Sequence, residues 1–364
     1  MRRPILLLAA VVLLSARLLH GQTTTTYPYE GVTKIDSVVT SPREDSIHVV
    51  EINLAAPGIH FELSPATPPN PPQSGDVTTV QKTLSYMSSV GAQFAINTEF
   101  FVNPPDANNA TPLWGFAASD GNVYSPFQAT NENMYAIVPK APAINIDASN
   151  IASVVTANPS DPSGKTVAQP VSVYNAVAGS AQIITNGAIS IPTYTENGGV
   201  LTDGSSYTGS NSWYANGHLA ARSAIGLSKD GKTLYLFTVD DNTADGSLGM
   251  TVTEVANYLQ QNYGVYNALN LDGGGSSTLS WMNPATHSAS DINLTCNVAG
   301  NTLYDGTNDR AVGASLAVFA SAAPEPGTLI LCFAAAGAGI ACVVSRRRRT
   351  RQAPEITQDI RSQP

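Results

Sequence analysis

Hydrophobic positions along the chain fall into three regimes. Ile5 to Leu14 and Thr328 to Val344 are almost continuously apolar, whereas the body between them alternates in short runs. In that body Ser37-Val38-Val39, Ile47 to Ile52, Ala181 to Thr185 and Leu234 to Val239 are rich in β-branched and aromatic residues, which predicts strands. Thr166 to Tyr174 reads as a further strand-like run. The rest of residues 141–215 is broken by Gly, Pro and Asn and reads as sheet edges and long loops, as does the Pro-rich stretch Pro65 to Ser74. The Thr-rich segment Gln22 to Tyr29 reads as a flexible lead-in.

Two segments carry helical spacing. Val77, Val80, Leu84 and Met87 would form the inward face of a helix from about Val77 to Ser89, stopped by Gly91. In the second, Thr251 and Glu254 have the spacing of a capping box, Val252, Val255, Ala256 and Leu259 share a face, and Gly264 ends the helix. Gly91 to Glu99 and Gly264 to Asp272 then run in parallel: glycine, short apolar strand, Asn, one residue, carboxylate. Chance or a pseudo-repeat would explain this; a repeat would place Glu99 and Asp272 at equivalent strand ends. The expected fold is α+β, a single domain with a mixed, strand-rich sheet core and a few packed helices.

The ends separate from this body. Arg2 and Arg3, the apolar run and the small and polar residues from Ala16 have the order of a secretory signal, expected over residues 1–22. At the other end Pro324-Glu325-Pro326, the apolar run and Arg346 to Arg349 closely resemble the PEP-CTERM sorting signal. That resemblance implies an exosortase-type sorting enzyme as partner and display at the cell envelope. A membrane segment is expected over 323–349, since the run is about long enough to cross a bilayer core, with the arginines and residues 350–364 cytoplasmic. Residues 23–75 are then N-terminal strands and linker, and 76–322 the main domain.

Removing the ends changes the charge. Residues 23–323 hold nine Lys and Arg against 24 Asp and Glu, a net charge of −15, which argues against nucleic acid as a partner. Only Cys296 lies in the body, excluding an intradomain disulfide and a cysteine zinc site. Arginine is as scarce there: Arg43, Arg222 and Arg310.

Two of those arginines sit in chemistry-bearing segments. Asn267 to Leu271 reads as a buried strand that delivers Asp272, followed by Gly273, Gly274 and Gly275 and then Ser276, Ser277 and Thr278. Glycines let a ligand approach the backbone, and their successive amides can cradle phosphate oxygens. No Lys follows them, so this is no Walker loop. Arg222 heads a strand, and Asp230-Gly231 marks a hairpin turn leading to a strand that ends at Asp240 and Asp241. Arg310 precedes a last apolar strand. A guanidinium grips phosphate through two parallel hydrogen bonds.

Asn97 to Phe101, Trp114 to Ser125, Arg222 to Asp240, Thr251 to Thr278 and Asp309 to Val318 occur in one order and together resemble the phosphodiester glycosidase family. The resemblance implies hydrolysis of a sugar joined through phosphate to another group, on a mixed α/β scaffold. It picks out Asn97, Arg222, Asp272, Gly273 to Ser276 and Arg310, with His218 where relatives often carry a His. Asp272, then Glu99, are the candidate nucleophile or base; Arg222, Arg310 and the glycine amides would hold the phosphate. Asn97, His218, Asp240, Gly273, Gly274, Gly275 and Ser276 are the candidate substrate-binding set. No cofactor is required by any motif; a divalent cation among Asp240, Asp241 and Asp272 is left open. The rival reading is a displayed, non-catalytic protein that binds acidic exopolysaccharide.

Overall fold

In a computed structural model the described residues are 21–67, 75, 77–129, 137–194, 200–201, 219–242, 245–296, 303–304 and 309–323. Residues 1–20 of the expected leader, residues 324–349 of the expected sorting segment, the expected tail 350–364 and His218 lie outside them. Among the described residues no helix is long and apolar enough to cross a membrane.

Three antiparallel sheets make the frame. The longest has the strand order Gln22–Tyr29, Val32–Val39, Asp45–Asn53, Thr233–Val239, Arg222–Leu227, Asn267–Asn270, Ala181–Thr185 and Ala188–Ile189. A second orders Ser288–Asp291, Leu279–Asn283, Phe94–Asn97, Ser315–Phe319 and His60–Leu63; the third orders Asn122–Ser125, Ala117–Ser119, Asn175–Ala178, Ala143–Ile146 and Ala152–Val155. The expected mixed sheet is not what the large sheets show. Their pairings are all antiparallel, and among the described residues a parallel pair occurs only between the short strands Asp241–Asn242 and Thr295–Cys296. Short hairpin connections favour this arrangement, since parallel neighbours need long crossovers.

Alternation explains how the layers stack. Along the long sheet Val50, Ile52, Ile225, Leu227, Leu234, Leu236, Leu269 and Leu271 face a core shared with Phe94, Ile96, Leu316 and Val318 of the second sheet and Ile144, Ile146 and Val177 of the third. Their odd-even partners Ile47, Val49, Ala224, Phe237, Val239 and Ala268 face the other way, onto Val252, Val255, Ala256 and Leu259 of the helix Val252–Tyr263. Both faces are covered, so these strands read as nearly unbroken apolar runs.

The second helix prediction holds in detail. Thr251 and Glu254 form the reciprocal capping box, and Gly264 stops the helix at a left-handed φ of 63°. The first is shorter than expected, Thr83–Val90, ending at Gly91. Residues 78–81 are extended instead: Thr78–Thr79 pairs with Ala110–Thr111, and Gln81 bridges Val312. Gln22–Tyr29 is an edge strand, not a flexible lead-in, in keeping with its β-branched threonines. Residues 166–174 form no strand beyond one bridge, Ala157 to Val167. Asn175–Ala178, placed at an edge by its polar surroundings, is central in the third sheet.

Candidate active site

The tips of three strands meet at one point. Asn97 ends Phe94–Asn97, Arg222 begins Arg222–Leu227, and Asn267–Asn270 runs out into Asp272. Asn97 ties them together: its Nδ2 donates to the Asp272 carbonyl at 2.7 Å, while its Oδ1 accepts from Ser223 Oγ at 2.7 Å and from the Thr278 amide at 3.0 Å. Backbone bonds complete the junction. The Asp272 amide donates to Thr98 O and the Leu271 amide to Ser223 O. Asn97 and Ser223 are wholly buried. An unpaired polar group in such a place would cost about 1–3 kcal/mol, so this network fixes where the Asp272 backbone lies.

After Asp272 the chain turns sharply. Gly274 has a φ of +59°, a left-handed conformation that favours glycine, and Gly274–Ser276 makes one short 3₁₀ turn. A Cβ on Gly273 would lie 3.1 Å from Ala221 O and 3.8 Å from Nη1 of Arg222. The close approach is to the Ala221 carbonyl, while the Arg222 guanidinium lies at ordinary contact distance from the turn. Arg222 is buried, with its Nε donating to Met250 O at 3.0 Å. Its charge also reaches Asp241, whose carboxyl burial nonetheless pushes up.

Arg310 reaches the same turn at Ser276. Its Nη1 donates to Ser276 Oγ at 3.2 Å, and Ser276 in turn bonds the Asp272 carboxylate. Burial pushes the Asp272 carboxyl up to about 6; the Ser276 bond, the Arg310 charge and the Gly273 amide pull the other way. Arg222 and Arg310 thus stand around the turn that holds Asp272 and Ser276, brought from at least 50 and 34 residues away along the chain.

The glycine amides differ from the cradle expected of them. The Gly273 amide donates to Oδ1 of Asp272 at 2.9 Å and the Gly274 amide to Ala221 O at 2.8 Å. Both hold the turn itself, so positive charge here comes chiefly from the two arginines.

Two sequence-derived candidates point elsewhere. The Glu99 carboxylate is fully buried and accepts from the Ala178 amide at 3.0 Å, in the third sheet; burial pushes it up to about 7. Asp240 faces His48, 3.4 Å from Nε2, and burial raises it to about 6. His48 bonds Asp36 through Nδ1 at 2.7 Å, and these two carboxylates outweigh its burial and raise it to about 9. His48 gave no sequence signal, being one polar position in an alternating strand. Ser223 did offer one, as a hydroxyl directly after Arg222 in an otherwise apolar strand. Among the described residues Asp240, Asp241 and Asp272 do not converge into a metal-holding group.

The profile of the phosphodiester glycosidase family matches residues 90–319. The mouse N-acetylglucosamine-1-phosphodiester alpha-N-acetylglucosaminidase is 38% identical over 102 residues, which span 28% of this chain and only 18% of the mouse protein. The zebrafish protein of the same name, solved as a catalytic domain auto-inhibited by its pro-peptide, superposes with a TM-score of 0.50 at 20% identity. That match covers 82% of this chain and 87% of the zebrafish chain, and it shows a shared fold. With the family profile matching well over half its length, the chain belongs to the phosphodiester glycosidase family.

Proposed function

We propose that this protein hydrolyses the bond between a sugar and a phosphate that is itself esterified to a second group. The observation that carries the reading is the placement of Arg222 and Arg310 about the turn that follows Asp272. A phosphomonoester leaves readily once its charge is neutralised, and two fixed guanidinium groups supply that neutralisation without reorganising. Asp272, whose carboxylate feels the Arg310 charge and whose turn lies against Arg222, is the reacting carboxylate at the anomeric carbon, as nucleophile or as base toward water. Raised to about 6, it is ionised at neutral pH and still basic enough to take a proton.

Glu99 takes a supporting part in this scheme, holding the Ala178 amide of the neighbouring sheet. Asn97 acts through the Asp272 backbone and not on the substrate. The test is product formation from a sugar-1-phosphodiester: turnover by the wild type that disappears in Asp272→Asn supports hydrolysis, whereas affinity without product favours the exopolysaccharide-binding role. Export to the cell envelope, with sorting at Pro324-Glu325-Pro326, is proposed on the sequence of the two ends alone. Retention of the unprocessed protein in the cytoplasm of the native host would contradict it.

A further inference from the structure

A cleft of about 210 Å³ lies on the second sheet, beyond the strand-tip cluster, and takes no part in the chemistry above. Its lining includes seven hydroxyl side chains together with Glu62 and Gln81, and no Lys, Arg or His. The bonding of these groups gives the cleft a definite preference. Thr78 and Thr79 donate their hydroxyl hydrogens at 2.8 Å, to Gly313 O and Thr67 O, so toward a ligand they act as acceptors. Glu62 accepts only. One of its oxygens receives the Tyr86 hydroxyl at 3.0 Å, and a carboxylate has a second. Glu62 and the two threonine oxygens suit a ligand rich in O–H donors. The Ser64 and Thr67 hydroxyls, which accept backbone amides, and the Gln81 amide can donate to its oxygens. A lining with a carboxylate and no cation gives a phosphate nothing to balance its charge. Pro65, Val90 and Val312 supply an apolar surface between the polar groups.

The cleft is also joined to the strand-tip cluster through one residue. Ala314, in its wall, accepts the Thr98 amide at 3.1 Å, and Thr98 O accepts the Asp272 amide at 3.0 Å. Two such strand-to-strand steps of about 4.8 Å put Ala314 roughly 10 Å from Asp272. Arg310 lies two residues before Val312 on the same segment.

We infer that this cleft is a binding site for a single uncharged sugar ring. Resting on the proposed function, it is the subsite for a carbohydrate portion of the substrate, with the phosphate held apart at the arginines. Its volume, below the roughly 300 Å³ at which ligand pockets commonly begin, fits one ring and not an oligosaccharide.

The experiment titrates an uncharged methyl hexoside and a methyl N-acetylhexosaminide into the full-length protein, followed by calorimetry or amide chemical shifts. At least one glycoside is expected to bind. Glu62→Gln and the surface change Gln81→Leu should each weaken it about tenfold, the loss of one or two good hydrogen bonds to ligand. Inorganic phosphate in excess should leave that affinity unchanged. Failure of the wild type to bind either glycoside overturns the inference, as does binding that survives both cleft substitutions or is displaced by phosphate. Glycoside binding without turnover of any sugar phosphodiester would instead sink the hydrolase reading and leave the cleft standing.

Discussion

Asn97 and Asp272, 175 residues apart, are joined by a 2.7 Å hydrogen bond from a side-chain amide to a backbone carbonyl. Since the same amide oxygen receives Ser223 and Thr278, the position of the Asp272 backbone is set from a different sheet. Replacing Asn97 with Asp keeps the acceptor but removes the donor to Asp272. We expect Asn97→Asp to lower kcat more than tenfold with little change in KM, and to destabilise by about 1–3 kcal/mol through the unpaired carbonyl. Denaturant unfolding beside steady-state kinetics reads both; a KM effect alone would make Asn97 a substrate contact instead.

The raised carboxyl of Asp272 sets an acid limb. If the ionised form reacts, kcat should climb as pH rises through about 6 and then level. Glu99, pushed to about 7, is not in the reaction as proposed, so Glu99→Gln should leave that limb in place. A limb that moves in Glu99→Gln would exchange the roles of the two carboxylates.

Burial of His48 between Asp36 and Asp240 gives a pH-dependent share of stability. A histidine held at about 9 when folded, against about 6.5 unfolded, contributes fully below 6.5 and loses that contribution as pH rises through 9. Wild type minus His48→Gln should therefore show a stability difference that shrinks between pH 7 and 10. At pH 6.5 the substitution leaves Asp240 buried without its partner and should cost about 3 kcal/mol, the low end for a broken buried pair because Asp36 is partly exposed. A difference independent of pH would mean that His48 is neutral.

How far the sequence foretells this molecule depends on the range of the interactions. The Thr251–Glu254 capping box, the Gly264 stop and the Asp230-Gly231 hairpin depend on neighbours in the chain, and they are visible there. Val77 and Val80 mislead because a short apolar run fits a helix face and an extended segment alike; pairing of Thr78–Thr79 with Ala110–Thr111 decides between them. Gln22–Tyr29 misleads because composition outweighed the β-propensity of its threonines. In the cluster, the Asp272 glycine run and two rare arginines stand out by residue type. What Asp240 does is invisible, because its partner His48 lies 192 residues away on a neighbouring strand. The Gly273 and Gly274 amides are similar: only the folded turn shows that they bond inward.

In the proposed centre, two arginines hold phosphate and Asp272 breaks the sugar bond. The most direct measurement is hydrolysis of a sugar-1-phosphodiester alongside binding of the corresponding sugar phosphate, in wild type, Asp272→Asn and Arg310→Ala. Asp272→Asn should bind the sugar phosphate nearly as wild type while kcat falls at least about 10³-fold. Arg310→Ala should lose about 10²–10³-fold in kcat and bind the sugar phosphate measurably more weakly. Wild-type turnover by Asp272→Asn, or undiminished sugar phosphate binding by Arg310→Ala, would contradict this assignment.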